Sequence, residues 1–137
     1  MTKPFVGFYT HDTDENFEAI LSKLGVGFLV RKMASNAKPT MKVEISEDNV
    51  WTITTVLPIK TMTWTFKLTE EAELTGPEGT YKVVFTVEDN KLIQKPVDKD
   101  NPKAIMVVRE FNEGGLKQTM THLSSGTVGS RSFKRAT

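Results

Sequence analysis

Arg109 and Arg131 are the residues of this sequence best suited to chemistry. Arg109 lies in the run Ile105-Met106-Val107-Val108-Arg109-Glu110-Phe111, where period-2 alternation sets it on one face with Ile105, Val107 and Phe111. Arg131 lies in Gly129-Ser130-Arg131-Ser132-Phe133 and shares a face with Gly129 and Phe133. An arginine turned into an apolar interior keeps its proton and needs an anionic or strongly accepting partner. Two kinds of partner are open. In the first, the arginines meet internal carboxylates, with Glu44, Glu71, Glu73 and Glu110 as candidates, or they face solvent. In the second, they converge on a ligand carboxylate, which the planar fork of arginine matches and which is held more strongly away from bulk water. Removing one partner from such a buried pair costs ~3–5 kcal/mol. Burying an acyl chain contributes about 0.8 kcal/mol per methylene before ordering costs. A charged head with a long apolar tail describes a fatty acid.

Other reactive constellations are weak. His11 and His122 are far apart, with no metal-ligand spacing around either. The acidic run His11-Asp12-Thr13-Asp14-Glu15 lacks the loop glycine and later glutamate of a calcium hand. Serines 124, 125, 130 and 132 lack a glycine-flanked elbow. Cysteine is absent, which removes disulfides, thiolate zinc sites and a cysteine nucleophile. No catalytic residue, metal site or cofactor is therefore expected.

The elements that must position the arginines are short β runs. A strand is predicted at Phe5–Thr10. Asp14 then caps a helix with Glu15 in its first turn, carrying Phe17, Ile20, Leu21 and Leu24 at helical spacing and ending at Gly25. Phe28 to Asn36 forms a second short helix. From Thr40 onward, alternation and turn residues mark strands near residues 40–46, 50–57, 61–66, 71–74, 81–87, 92–97, 104–111, 116–123 and 127–134. With the first run this makes about ten strands with a turn every ~8–12 residues, the pattern of an antiparallel barrel or sandwich. Two short helices cannot span a sheet but can cap an open barrel end, and a capped barrel is a container. Threonines crowd these strands. Each alone fits a solvent-facing β position; as a set, beside two arginines, they suggest a partly polar cavity.

The 137 residues suffice for one domain with a sizeable core. Lys+Arg 18 against Asp+Glu 17 leaves a net charge of +1, which argues against nucleic-acid binding through bulk charge. No long apolar run follows the amino terminus, so neither a signal peptide nor a transmembrane segment is expected. The simplest compartment is the cytoplasm, with the nucleus open to so small a chain. Lys23, Arg31, Lys32 and Lys38 fall on or beside the helical pair. They form either a solvated helix face or a basic, amphipathic surface that touches anionic bilayers.

Along its whole length the chain resembles the intracellular lipid-binding proteins, in the fatty-acid-binding branch. The segments that carry the likeness include Phe5-Val6-Gly7, Glu15-Asn16-Phe17-Glu18, Leu24-Gly25-Val26-Gly27, Arg31-Lys32-Met33-Ala34 and Lys38-Pro39-Thr40. Later come Phe66-Lys67-Leu68, Asn90-Lys91-Leu92-Ile93-Gln94, Val108-Arg109-Glu110-Phe111 and Arg131-Ser132-Phe133-Lys134. The resemblance implies an all-β fold: a ten-stranded antiparallel up-and-down β-barrel (β-clam) spanning 1–137, capped by a helix-turn-helix lid at about 14–36. It implies a monomer that binds one lipid non-covalently and performs no catalysis. In relatives an Arg…Arg-x-Tyr set on the late strands holds the fatty-acid carboxylate. Arg109 and Arg131 match the arginines, whereas Phe133 stands in place of the tyrosine, as it does in retinol binders. A retinoid or another amphipathic lipid is therefore the alternative ligand, with a lipid-metabolising enzyme behind it. Gln118, at a position usually apolar, offers a compensating polar contact, and Met120 faces inward with it. Phe17, Leu21, Met33, Ala34 and Pro39 are expected on the lid side of the cavity. Ile59 stands at the portal, and Pro77 and Glu78 lie in a turn bordering it.

Overall fold

The computed structural model describes residues 5–57, 60–76 and 79–136. β1 (Gly7–Glu15) leads into α1 (Phe17–Lys23) and α2 (Phe28–Asn36). Nine strands follow: β2 (Thr40–Ile45), β3 (Val50–Val56), β4 (Thr61–Lys67), β5 (Glu71–Gly76), β6 (Gly79–Glu88), β7 (Lys91–Pro96), β8 (Ile105–Asn112), β9 (Gly115–His122) and β10 (Val128–Arg135). All ten belong to one antiparallel sheet in the order β4-β3-β2-β1-β10-β9-β8-β7-β6-β5. β1 closes the ring onto β10, and β4 and β5 are left as facing edges without a shared ladder. Across that seam the Trp64 indole Nε1 donates to the Thr75 carbonyl at 3.3 Å. The result is a nearly closed barrel with a helix-turn-helix cap.

Alternation sets the two faces. Trp51, Ile53 and Phe66 point inward and are buried, so the threonines between them face outward. This corrects the expectation that the threonine set helps to make the cavity polar. Thr55, on the inward face of β3, is the only one of them among the residues lining the large cavity described below. High β propensity on a wet face accounts for the rest.

The start of the lid differs from expectation. Asp14 does not cap α1. Asp14 and Glu15 belong to β1, paired with Arg131 and Ser130 of β10, and the helical part begins at Phe17. The cap position is Asn16, in the left-handed conformation (φ 55°) that asparagine tolerates. Its side chain donates to the Val128 carbonyl at 2.8 Å and fastens the helix start to β10. The ladder between β1 and β10 shifts between His11 and Thr13, leaving Asp12 as an extra residue. Such a bulge reverses the phase of the strand beyond it. His11 and Asp14, three residues apart, thereby come to the same side.

The core has two parts. At the closed end, aromatic rings interlock: Phe5 meets Trp51 at 5.2 Å and Phe111 at 5.1 Å, and Phe66 stacks on Phe85. Under the lid, Ile20, Leu21 and Leu24 of α1 pack with Val26, Ile105, Val107 and Met120. α2 buries none of its residues and leaves Phe28, Leu29 and Met33 exposed. α1 is therefore the docked helix and α2 the outer one.

Candidate functional site

Between the two core clusters lies a cavity of about 570 Å³, within the usual range for small-molecule sites. Phe17, Leu21, Met33, Ala34 and Pro39 line it from the lid side, and Met120, Phe133, Gln118, Arg109 and Arg131 from the late strands. Ile59, Pro77 and Glu78 lie outside the described residues.

Three polar residues of the wall, Arg131, Gln118 and Arg109, form one row of the sheet that Asp14 extends. Asp14 on β1 is directly opposite Arg131 on β10, Arg131 is opposite Gln118 on β9, and Gln118 is opposite Arg109 on β8. At about 4.8 Å per strand the arginine backbones stand roughly 10 Å apart, with the glutamine between them.

The arginines occupy different environments. Arg109 is 3 % exposed. Its Nε donates to Gln118 Oε1 at 3.0 Å and its Nη1 to Gln94 Oε1 at 3.0 Å. Because the guanidinium only donates, the oxygen of each amide must face it. The Gln118 amide nitrogen in turn reaches Met120 Sδ at 3.7 Å. The Trp64 ring centroid lies 5.7 Å from the Arg109 guanidinium carbon. Among the described residues no carboxylate pairs with Arg109. Burial pushes its pKa down to about 10, opposed by the attraction of Tyr81. It remains well above neutrality, so Arg109 stays protonated, and among the described residues its charge is met by amides and rings.

Arg131 has an internal carboxylate, and it is none of the four glutamates considered from sequence. Its Nε donates to Asp14 Oδ1 at 2.8 Å and its Nη2 to Asp14 Oδ2 at 3.3 Å. Nη2 also donates to the Ala37 carbonyl at 3.2 Å, and the guanidinium lies 4.0 Å over the Phe17 ring. His11 Nε2 stands 2.7 Å from Asp14 Oδ1, and the His11 ring meets Phe133 edge-on at 5.8 Å. His122 is remote from this cluster, bonded to Ser125 Oγ and the Pro102 carbonyl.

Four members of the site were missed in the sequence. Gln94 is 1 % exposed and lies between buried Leu92 and Pro96, so the alternation that marked the arginines also marks it. Trp64 and Tyr81 looked like ordinary strand aromatics. Asp14 was hidden by the bulge at Asp12.

A barrel closed by packed aromatics at one end, lidded by helices at the other, and hollow around a cation that no described carboxylate meets has the architecture of a container. The chain matches the Lipocalin / cytosolic fatty-acid binding protein family over residues 6–135, and it belongs to that family. It is 39 % identical to a fatty acid-binding protein of Tyrophagus putrescentiae, covering 94 % of this chain and 95 % of that one. With fatty acid-binding protein homolog 6 of Caenorhabditis elegans it shares 37 % identity over 96 % of each chain. The structure of a Schistosoma mansoni fatty acid binding protein in complex with arachidonic acid superposes with a TM-score of 0.88 at 29 % identity, covering 99 % of this chain and 98 % of that one.

Proposed function

We propose that this protein is an intracellular carrier that holds one long-chain fatty acid non-covalently in the barrel, its carboxylate at Arg109 and its tail among the apolar residues beneath the lid. The observation that carries this reading is Arg109, a buried cation without a carboxylate partner among the described residues, on the wall of an otherwise largely apolar cavity. Two of its N–H groups go to Gln94 and Gln118, and the rest of the fork remains for an anion. Gln118 orients Arg109, and Arg131 stands one strand beyond it. The reading gives the chain no catalytic role and no cofactor. It makes the carrier a monomer of the cytoplasm with access to the nucleus.

Mass spectrometry of lipid extracted from the purified protein tests this directly. Free long-chain acids are expected, and neutral lipids alone would overturn the reading. The retinoid alternative rests on Phe133. Because Arg109 favours an anion, a retinoid acid would fit better than the alcohol. Phe133→Tyr adds a hydroxyl to the cavity wall beside His11 and is expected to tighten oleic acid binding about threefold to tenfold with the fold intact. Unchanged affinity in a calorimetric titration would show that the hydroxyl is dispensable here.

Contact of the lid with anionic membranes completes the proposal. Phe28 and Leu29 of α2 are 60 % and 76 % exposed beside Arg31 and Lys32. Both cations are tethered to Glu18 of α1, at 3.6 Å and 2.9 Å, and the hydrogen bond from Lys32 is the main cause that lowers the Glu18 pKa. Changing Lys23, Arg31 and Lys32 to glutamine is expected to slow lipid transfer to phosphatidylserine vesicles about tenfold, with little effect on zwitterionic ones. Equal rates to both vesicle types would dismiss the membrane contact.

A further inference from the structure

We infer that Asp14 withdraws Arg131 from headgroup binding and turns it into a latch for the lid, which leaves Arg109 as the single anion anchor. This deepens the fatty-acid reading and rests on it.

The contacts of Arg131 all lead toward the lid. Asp14 is the penultimate residue of β1, Phe17 begins α1 and Ala37 follows the last residue of α2. One guanidinium therefore ties together the three segments that bring the lid onto the barrel, by a two-point ion pair, a ring face and a carbonyl. A fork spent in this way cannot offer a free two-point grip to a ligand carboxylate.

Charge along the row agrees. Asp14 and Arg131 cancel, Gln118 is neutral and Arg109 carries one positive charge, so the row asks for one monoanion. Without Asp14 it would carry two positive charges within roughly 10 Å. The carboxylate is also built in. The bulge at Asp12 turns residue 14 toward Arg131, and His11 grips the same Oδ1 at 2.7 Å. Among the described residues Nδ1 of His11 is buried without a hydrogen-bond partner, and the polar contact of that ring is with Asp14. Asp14 is thus a positioning residue that sets which arginine reads the headgroup.

The test measures affinity for oleic acid and for oleyl alcohol, with the dissociation rate of each, in the full chain. Asp14→Asn frees Arg131 while keeping the side-chain shape, and is expected to raise the preference for acid over alcohol about tenfold. The double variant Asp14→Asn with Arg131→Gln removes the pair without changing the charge of the row. Its acid preference should stay within about threefold of the unaltered protein, while both lipids leave faster, about tenfold, because the latch is gone. Arg109→Gln should abolish the acid preference. If the double variant loses that preference as Arg109→Gln does, Arg131 is the anchor and the inference falls. If the double variant does not fold, Asp14→Asn alone decides, since unchanged or weaker acid preference there overturns the inference. An unaltered protein with no preference for acid would overturn the fatty-acid reading itself, an outcome distinct from both.

Discussion

Replacing Arg109 by glutamine is expected to make the empty protein more stable to heat and nearly indifferent to whether its ligand carries a charge. The guanidinium is taken out of water with no carboxylate among the described residues to receive it, and burial lowers its pKa to about 10. The sign follows from linkage. A base whose pKa is lower in the folded chain than in the unfolded one disfavours folding wherever it is protonated in both states, and the penalty lifts only as pH rises above about 10 toward the ordinary arginine value. At neutral pH the full penalty applies, on the order of 3 kcal/mol by the size of the shift. Glutamine removes the charge, and the two N–H donors of its amide replace those now given to the Gln94 and Gln118 oxygens. A net gain of about 2 kcal/mol would raise the melting temperature of the delipidated protein by roughly 4–8 °C. The same change removes the anion's partner, and oleic acid should bind about 100-fold more weakly while oleyl alcohol changes little. Thermal unfolding of the lipid-free variant and paired titrations check both halves. A lower melting temperature would show that Arg109 is already compensated internally, and an unchanged acid preference would remove it from the site.

This opposition between stability and binding explains why Arg109 was legible in the sequence while its surroundings were less so. A charge on the apolar face of Ile105, Val107 and Phe111 violates strand alternation, and such a violation can be seen without a structure. Gln94 violates it in the same way on β7 but is uncharged and easily passed over. Most of the strands could be read because Trp51, Ile53, Met62, Trp64 and Phe66 alternate cleanly with polar residues. The threonines misled because β propensity does not distinguish the two faces of a strand. Asp14 resisted reading for a different reason. Counted by twos from buried Tyr9, residue 14 falls on the outer face, and the extra residue at Asp12 reverses that count. A bulge leaves little trace in composition, so the sequence points for Arg131 to glutamates, and all four are exposed. Trp64 shows a third limit. Its inward position follows from alternation, but its bond across the seam to Thr75 depends on the curvature of the whole sheet.

Gly129→Val is expected to lift the lid. An ideal Cβ at Gly129 would stand 2.7 Å from the Asn16 carbonyl oxygen and 2.8 Å from Ile20 Cγ1. The first of these is backbone at the start of α1 and cannot swing aside as a flexible side chain would. Asn16 is also pinned to Val128 by its own side chain, so α1 sits directly against β10 two residues before Arg131. A branched side chain there must push α1 away, breaking its packing at Ile20 and the stacking of Phe17 on Arg131. Overpacking of this kind costs about 1–3 kcal/mol, a fall of roughly 3–10 °C in melting temperature. Lipid should dissociate about tenfold faster, acid and alcohol alike, because the helix that covers the cavity has moved while Arg109, two strands away, has not. Gly129→Ala should move the same quantities in the same direction by less. Stopped-flow dissociation of oleic acid and oleyl alcohol separates this effect from a damaged anchor: a loss confined to the acid would mean that the substitution disturbs the arginine row, and unchanged rates would mean that α1 does not hold the cavity shut.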